Sequence, residues 1–302
     1  MMGPLVDAAV GWTLFAGLLL AVGSLAGRWL LVPMARGLED EPRGWLRTGM
    51  ARMGLRASLL VLAALVLVLV RQVAEFRDPF APLSEDLGLL LGSALGRAWY
   101  LAVVAALVSV AAFWMAARGS RTGWWIASVG VLAVSVFPGL TGHANGVEEL
   151  GALALLSDSL HVLAAGAWMG GLAVVLLSER GWRRRNDDLS ASLLPELVPA
   201  FSPVAVGAVA TLVVTGTFAA WLHLPSLDAL WTGAYGRLLV AKLALVGGAL
   251  ALGARNFRWL TPRLGQAEGD AALRRSATWE LIVANLILLV TAVLVRTSPL
   301  GH

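Results

Sequence analysis

Long apolar runs alternate with short polar segments along the whole chain. Eight such runs stand out, at about 5–33, 51–72, 96–117, 123–141, 149–178, 197–223, 236–259 and 273–296. A hydrocarbon core of about 30 Å needs about 20 consecutive apolar residues in a helix. Each run therefore predicts one transmembrane helix. Most runs carry no charge at their centres and are hydrophobic nearly all round, as helices hidden from water are. The expected fold is all-α: one integral membrane domain over 1–302, folded as an eight-transmembrane-helix bundle.

The polar segments orient the bundle. Arg36, Arg43 and Arg47 follow the first run, and Arg118 and Arg121 the third. Arg180, Arg183, Arg184 and Arg185 follow the fifth, and Arg255, Arg258, Arg263, Arg274 and Arg275 the seventh. The alternate segments 142–148 and 224–235 hold no basic residue, and 73–95 sets Arg77 against Glu75, Asp78, Glu85 and Asp86. Basic loops stay in the cytoplasm. Both termini are then expected on the periplasmic side. Two polar segments also read as short interfacial helices. Segment 82–95 opens on Pro82 with Glu85 and Asp86 in its first turn, which suits a helix N-terminus; segment 225–231 carries Trp231. Tryptophans at 99, 124, 125, 182, 221, 231, 259 and 279 fall near run ends, as an aromatic belt does.

Composition agrees and excludes several classes. Hydrophobic residues make up 58% of the chain and charged residues 14%, against about a quarter charged in soluble domains. With no cysteine, disulfides, zinc–thiolate sites and iron–sulfur clusters are excluded within the chain. A metal site has to draw on His, Met, carboxylate, backbone or water. The net charge of +4 comes from inter-helix arginines, so no nucleic-acid partner is expected; the surroundings are membrane lipid. The first run is preceded by no basic segment and followed by no small-residue cleavage motif, so no cleaved signal peptide is expected. No nucleotide-binding loop or hydrolase triad is present, and the chain is not expected to be an enzyme.

Ionisable groups within spans are costly and mark function by default. They are Asp7, Asp158, His161, Lys242 and Glu280. On the fifth run, Asp158, His161, Ala165 and Trp168 share a face at 100° per residue. His161 lies near mid-bilayer. The small residues Ala164–Ala167, Gly170 and Gly171 would let a neighbouring helix approach closely. The structural alternative is a His161–Asp158 hydrogen bond that locks the bundle. His143 and His223 lie at the outer ends of the fourth and sixth runs, and His302 closes the chain on the same side. Met169 adds a soft thioether to the fifth run, although packing is the ordinary role of such a residue. Lys242 is the only lysine, every other basic residue being arginine. A lone ammonium inside a span needs a partner, with Asp158 first and Asp7 second as candidates. Glu280 is expected to pair with Arg28 or Arg255.

Taken together these residues resemble a family. Gly142-His143-Ala144, Asp158-x-x-His161 and Trp168-x-Gly170-Gly171 are similar to the bacterial copper resistance protein D (CopD) family. So are Phe201-Ser202, Thr215-Gly216, His223-Leu224, Tyr235-Gly236-Arg237-Leu238-Leu239, Lys242-Leu243, Asn256 and Leu273-Arg274-Arg275-Ser276 leading to Glu280. The likeness covers 140–297 well and the first half through helix count. It implies a multi-pass protein of the bacterial inner membrane that imports copper, as Cu(I) or Cu(II), from the periplasm. It also implies a separate periplasmic partner of the CopC type. His143, His161, His223 and Met169 become the candidate ligands, with Asp158 behind His161. No haem is expected. Two other readings stand beside transport: a b-type haem or quinone-linked redox protein, and a copper delivery or assembly factor that transports nothing.

Overall fold

The structure is a computed structural model and describes residues 4–141, 150–186, 192–224, 226 and 228–297. Those residues form eight helices long and apolar enough to cross a membrane. They are Leu5–Met34, Asp40–Phe76, Ala94–Ala117, Arg121–Thr141, Gly151–Arg185, Leu194–His223, Ala234–Arg263 and Ala267–Leu294. No β-strand occurs among the described residues. Each helix overlaps one predicted apolar run. Short helices also occur at Leu83–Gly92, within the segment expected at 82–95, and at Ala229–Thr232, which starts later than the segment expected at 225–231.

Helix starts are set locally. Ser93 accepts a hydrogen bond from the Gly96 N–H to cap the third span, and Ser120 accepts one from Gly123 to cap the fourth. A serine hydroxyl satisfies one of the N–H groups that a helix start leaves unpaired. Asp40 and Glu41 lie in the first turn of the second span, where the helix dipole favours acid. That start carries the helix well beyond its apolar run. Its 37 residues reach about 55 Å at 1.5 Å per residue, so its polar first turns project past the hydrocarbon.

The first span is central, packing along the second, the fifth and the eighth. The third lies between the second and fourth, the sixth covers the fifth, and the seventh packs chiefly along the eighth. The fifth is the most enclosed span, with 56% of its apolar window buried, and the seventh the least, with 6%. Leu59, Val66, Leu101, Val129, Leu153, Val206, Val214 and Leu243 are exposed on the outside. In water such a surface would drive aggregation; in lipid it is the solvated face.

The first and fifth spans meet backbone to backbone. A Cβ added at Gly170 would stand 1.8 Å from the Leu19 carbonyl oxygen, and one at Gly23 would stand 2.2 Å from the Gly170 carbonyl carbon. The stripe of small residues on the fifth span thus receives the first. Gly27–Leu31, Gly166–Gly170 and Asn256–Leu260 are π-helical turns inside the first, fifth and seventh spans. Such turns often mark functional positions, and the apolar pattern carries no sign of them.

Ionic clamps sit at both ends. At the end holding residues 4 and 297, Arg71 lies 3.8 Å from Asp7 and 2.7 Å from Glu75, which also takes Arg296 at 3.2 Å. This ties together the first, second and eighth spans. It also corrects the expectation that Asp7 partners Lys242. Asp7 faces Arg71 because the first span packs on the second, while Lys242 lies on the peripheral seventh. At the arginine-rich end Glu179 is 1% exposed and accepts from Arg274 (3.1 Å), Ser192 Oγ (3.2 Å) and Leu193 N (2.8 Å).

Candidate functional site

The polar residues inside the spans fall into two groups, one in each half of the bundle. The first centres on His161, in the half nearer the termini. Its Nδ1 lies 2.8 Å from Thr215 Oγ1, across the contact of the fifth and sixth spans. Thr215 Oγ1 in turn donates to the Thr211 carbonyl oxygen at 2.8 Å. The one hydroxyl proton is therefore spent, and Thr215 accepts from His161 Nδ1–H. That assignment puts the lone pair of the neutral imidazole on Nε2. A hydrogen bond at one ring nitrogen sets which nitrogen can bind a metal. Gly216 lies beside the ring: a Cβ there would sit 3.7 Å from His161 Cε1.

Two charges act on this ring. Lys242 is close enough for its charge to interact with His161, and Asp158 is close enough to interact with both Lys242 and Tyr235. The seventh span packs chiefly along the eighth. Asp158 also lies against Gly139, where an added Cβ would approach its Cβ to 3.4 Å. The residue that fixes the His161 ring through Nδ1 is Thr215, rather than the expected Asp158.

His223 is eight residues beyond Thr215 on the same helix, about 12 Å along the axis. Its Nδ1–H donates to the Ala219 carbonyl oxygen at 2.8 Å. Met169 is 6% exposed and packed in the main core, eight residues from His161 toward the opposite end. His143 and His302 lie outside the described residues. Among the described residues, no three His, Asp or Glu come together in a group that could hold a metal ion.

The second group lies toward the arginine-rich end. Glu280, 5% exposed, accepts from Asn256 Nδ2 at 3.1 Å and from the Trp168 indole. Both donors stand on π-helical turns, and all three residues line a cavity of about 360 Å³ between the fifth, sixth, seventh and eighth spans. The expected ion pair of Glu280 with Arg28 or Arg255 is replaced by these neutral donors. Arg255 donates instead to Ser276 Oγ at 3.3 Å. The Arg28 guanidinium lies over Trp29, 4.6 Å from the ring centre. Trp168, expected beside His161, faces Glu280. The π-helical turn at Gly166–Gly170 breaks the regular 100° spacing between them.

Eight helices long and apolar enough to span a membrane, with polar groups held inside them and no strand among the described residues, define a polytopic membrane protein. Residues 195–294 match the model of the family described as Copper resistance protein D. The matched part holds Thr215, His223, Lys242, Asn256 and Glu280, while Asp158, His161 and Trp168 precede it. The chain is also 35% identical over 175 residues to "Copper transport protein CutJ" of Bacillus subtilis (strain 168). The alignment covers 56% of this chain and 30% of that protein, so the chain spans well under half of its relative's length. No solved structure matches the chain.

Proposed function

We propose that this protein binds copper through His161 and carries it across the bacterial inner membrane from the periplasm toward the cytoplasm. One observation carries the reading: His161 stands inside a span with Nδ1–H committed to Thr215 and the Nε2 lone pair left for a metal. Imidazole suits copper, and the similarity to Copper resistance protein D and to a protein named for copper transport supports copper among the metals it suits. A sparse ligand set fits a conducting site, because an ion that must leave again cannot be held tightly. His223 marks the way in from the terminal end, and a periplasmic copper-binding protein of the CopC type is the donor we expect there.

Replacing His161 with Ala removes the ligand itself. It should cost more copper affinity than the about 10- to 100-fold that loss of a supporting residue costs. Copper titration of the purified protein and copper accumulation in cells both report this. Unchanged accumulation, with normal amounts of the variant in the membrane, overturns the site. Uptake by proteoliposomes separates transport from binding without transport.

Orientation rests on the arginine distribution. The chain has no cysteine, so single cysteines placed at Arg184 and Thr297 can be labelled one at a time. A membrane-impermeant thiol reagent applied to intact cells with a permeabilised outer membrane should reach Thr297→Cys and miss Arg184→Cys. Equal labelling of both would sink the eight-span orientation.

Lys242 is expected to weaken the hold on a bound cation, with Asp158 offsetting it. Two like charges about 8 Å apart repel by about 2 kcal/mol at an effective dielectric of 20. Lys242→Met should therefore tighten copper binding several-fold and slow uptake by retaining the ion. Binding and uptake both at the unsubstituted level would remove Lys242 from the path.

A further inference from the structure

The cavity around Glu280 has no part in the copper path proposed above. Its walls are apolar, with Leu172, Val198, Ala205, Val209, Leu250 and Ala277 among them, and Phe201 and Phe257 supply flat faces. Its size of about 360 Å³ falls within the range of about 300–1,000 Å³ typical of small-molecule sites, which pair apolar walls with a few fixed polar groups. Phe257 and Val206 are strongly exposed on the outer face of the bundle, so one side of the cavity borders the lipid.

The polar floor has a definite character. Trp168 and Asn256 Nδ2 both donate to Glu280. Thr261 Oγ1 donates to the Asn256 carbonyl oxygen, and Ser202 Oγ to the Val198 carbonyl oxygen. Each of these donor groups already has a partner within the protein. Acceptors remain: the Glu280 carboxylate, and Asn256 Oδ1, which is buried and has no hydrogen-bond partner. Asn256, Trp168 and Glu280 are each more than nine-tenths buried. A buried polar atom left unpaired is costly and calls for a partner. The missing partner has to be a donor. A cation is disfavoured by the apolar walls and by Arg274, which is among the lining residues.

We propose that this cavity binds a neutral, lipid-soluble molecule whose head donates hydroxyl hydrogen bonds to Glu280 and Asn256. That chemistry belongs to a membrane hydroquinone and to a monoacylglycerol. The aromatic faces of Phe201, Phe257 and Trp168 fit the flat ring of the hydroquinone. The inference is independent of the copper reading, since it shares neither residues nor ligand with the His161 site.

The test uses the purified full-length protein in detergent, with binding read by calorimetry. The probes are a decyl-substituted benzohydroquinone, its oxidised quinone, monodecanoylglycerol and dodecylammonium. The hydroquinone and quinone share one shape, but only the hydroquinone has donors. The hydroquinone should bind about tenfold or more tightly than the quinone, as a hydrogen bond to a charged acceptor provides. Ala205→Trp, which fills the cavity without touching its floor, should abolish binding, and Glu280→Leu should erase the preference. The size-exclusion profile of Ala205→Trp serves as a folding control and should be unchanged. Monodecanoylglycerol binding as tightly as the hydroquinone supports the donor-reading floor and assigns the occupant to glycerolipid. Equal affinity for quinone and hydroquinone overturns the proposal and leaves an apolar cavity only. Tightest binding of dodecylammonium, or no binding of any probe, overturns it as well.

Discussion

Gly170→Val is expected to leave little monodisperse protein in detergent, whereas Gly247→Val is expected to behave as the unsubstituted chain. A Cβ at Gly170 would stand 1.8 Å from the Leu19 carbonyl oxygen and 3.2 Å from Gly23 Cα. Both obstacles are backbone, so no rotamer change relieves them. The first span would have to move as a body, and it also packs on the second and eighth. Between helices in lipid there is no hydrophobic drive to repair such a gap; close packing itself holds them together. The cost should exceed the about 1–3 kcal/mol of ordinary overpacking. Gly247 has nothing within 4 Å of an added Cβ, so it controls for the substitution itself. Size-exclusion profiles and thermal unfolding by tryptophan fluorescence measure the difference. Equal behaviour of the two variants would show that the first–fifth contact does not hold the bundle together.

That contact illustrates how much of the fold the chain announces. Hydropathy locates all eight spans, because length and absence of charge are what a bilayer demands of a helix. The small residues at 164–171 announce a close approach, and the first span is the helix that makes it. Hydropathy is silent on where helices end in water. The second span starts at Asp40 rather than near 51, since polar residues outside the bilayer form helix as readily as loop. It is silent too on π-helical turns, which arise from how the backbone satisfies its hydrogen bonds under packing and leave no mark in the apolar pattern.

The same limit explains what was and was not legible in the site. Asp158, His161, Lys242 and Glu280 stand out in the sequence because charge or imidazole within a span is expensive. Their partners do not. Regular helical spacing puts Trp168 beside His161, and one π-helical turn moves it to Glu280. Asp7 and Lys242 both lie in the half of the bundle nearer the termini, yet that says nothing of which helices adjoin. Glu179 reads as an ordinary residue at a run end; its signal is that it is an acid among the arginines of that end, and it proves to be the buried acceptor for Arg274. Thr215 is chemically mild and, alone, predicts nothing. Only the contact of the fifth and sixth spans shows that its hydroxyl sets the face His161 offers to a metal.

Thr215 therefore has a measurable role as a positioning residue. Thr215→Val keeps the side-chain shape and deletes the oxygen that accepts from His161 Nδ1–H. The ring can then rotate or exchange its tautomer, and the Nδ1–H is left without its partner inside the membrane. Copper affinity should fall by about 10- to 100-fold, the range typical for loss of the group that orients a metal-binding histidine. Thr215→Ser keeps the hydroxyl and should retain most of the affinity, although it loses the same methyl packing that a purely structural role would need. Gly216→Ala supplies the complementary control. Its Cβ would meet the His161 ring at 3.7 Å, an ordinary contact, and affinity should change little. Copper titration of the three purified variants decides the matter. A larger loss in Thr215→Ser than in Thr215→Val would mean that the residue packs the helices and does not orient the ring. Full affinity in Thr215→Val would mean that His161 holds its geometry by other contacts, and the assignment of Nε2 as the metal-binding atom would fall with it.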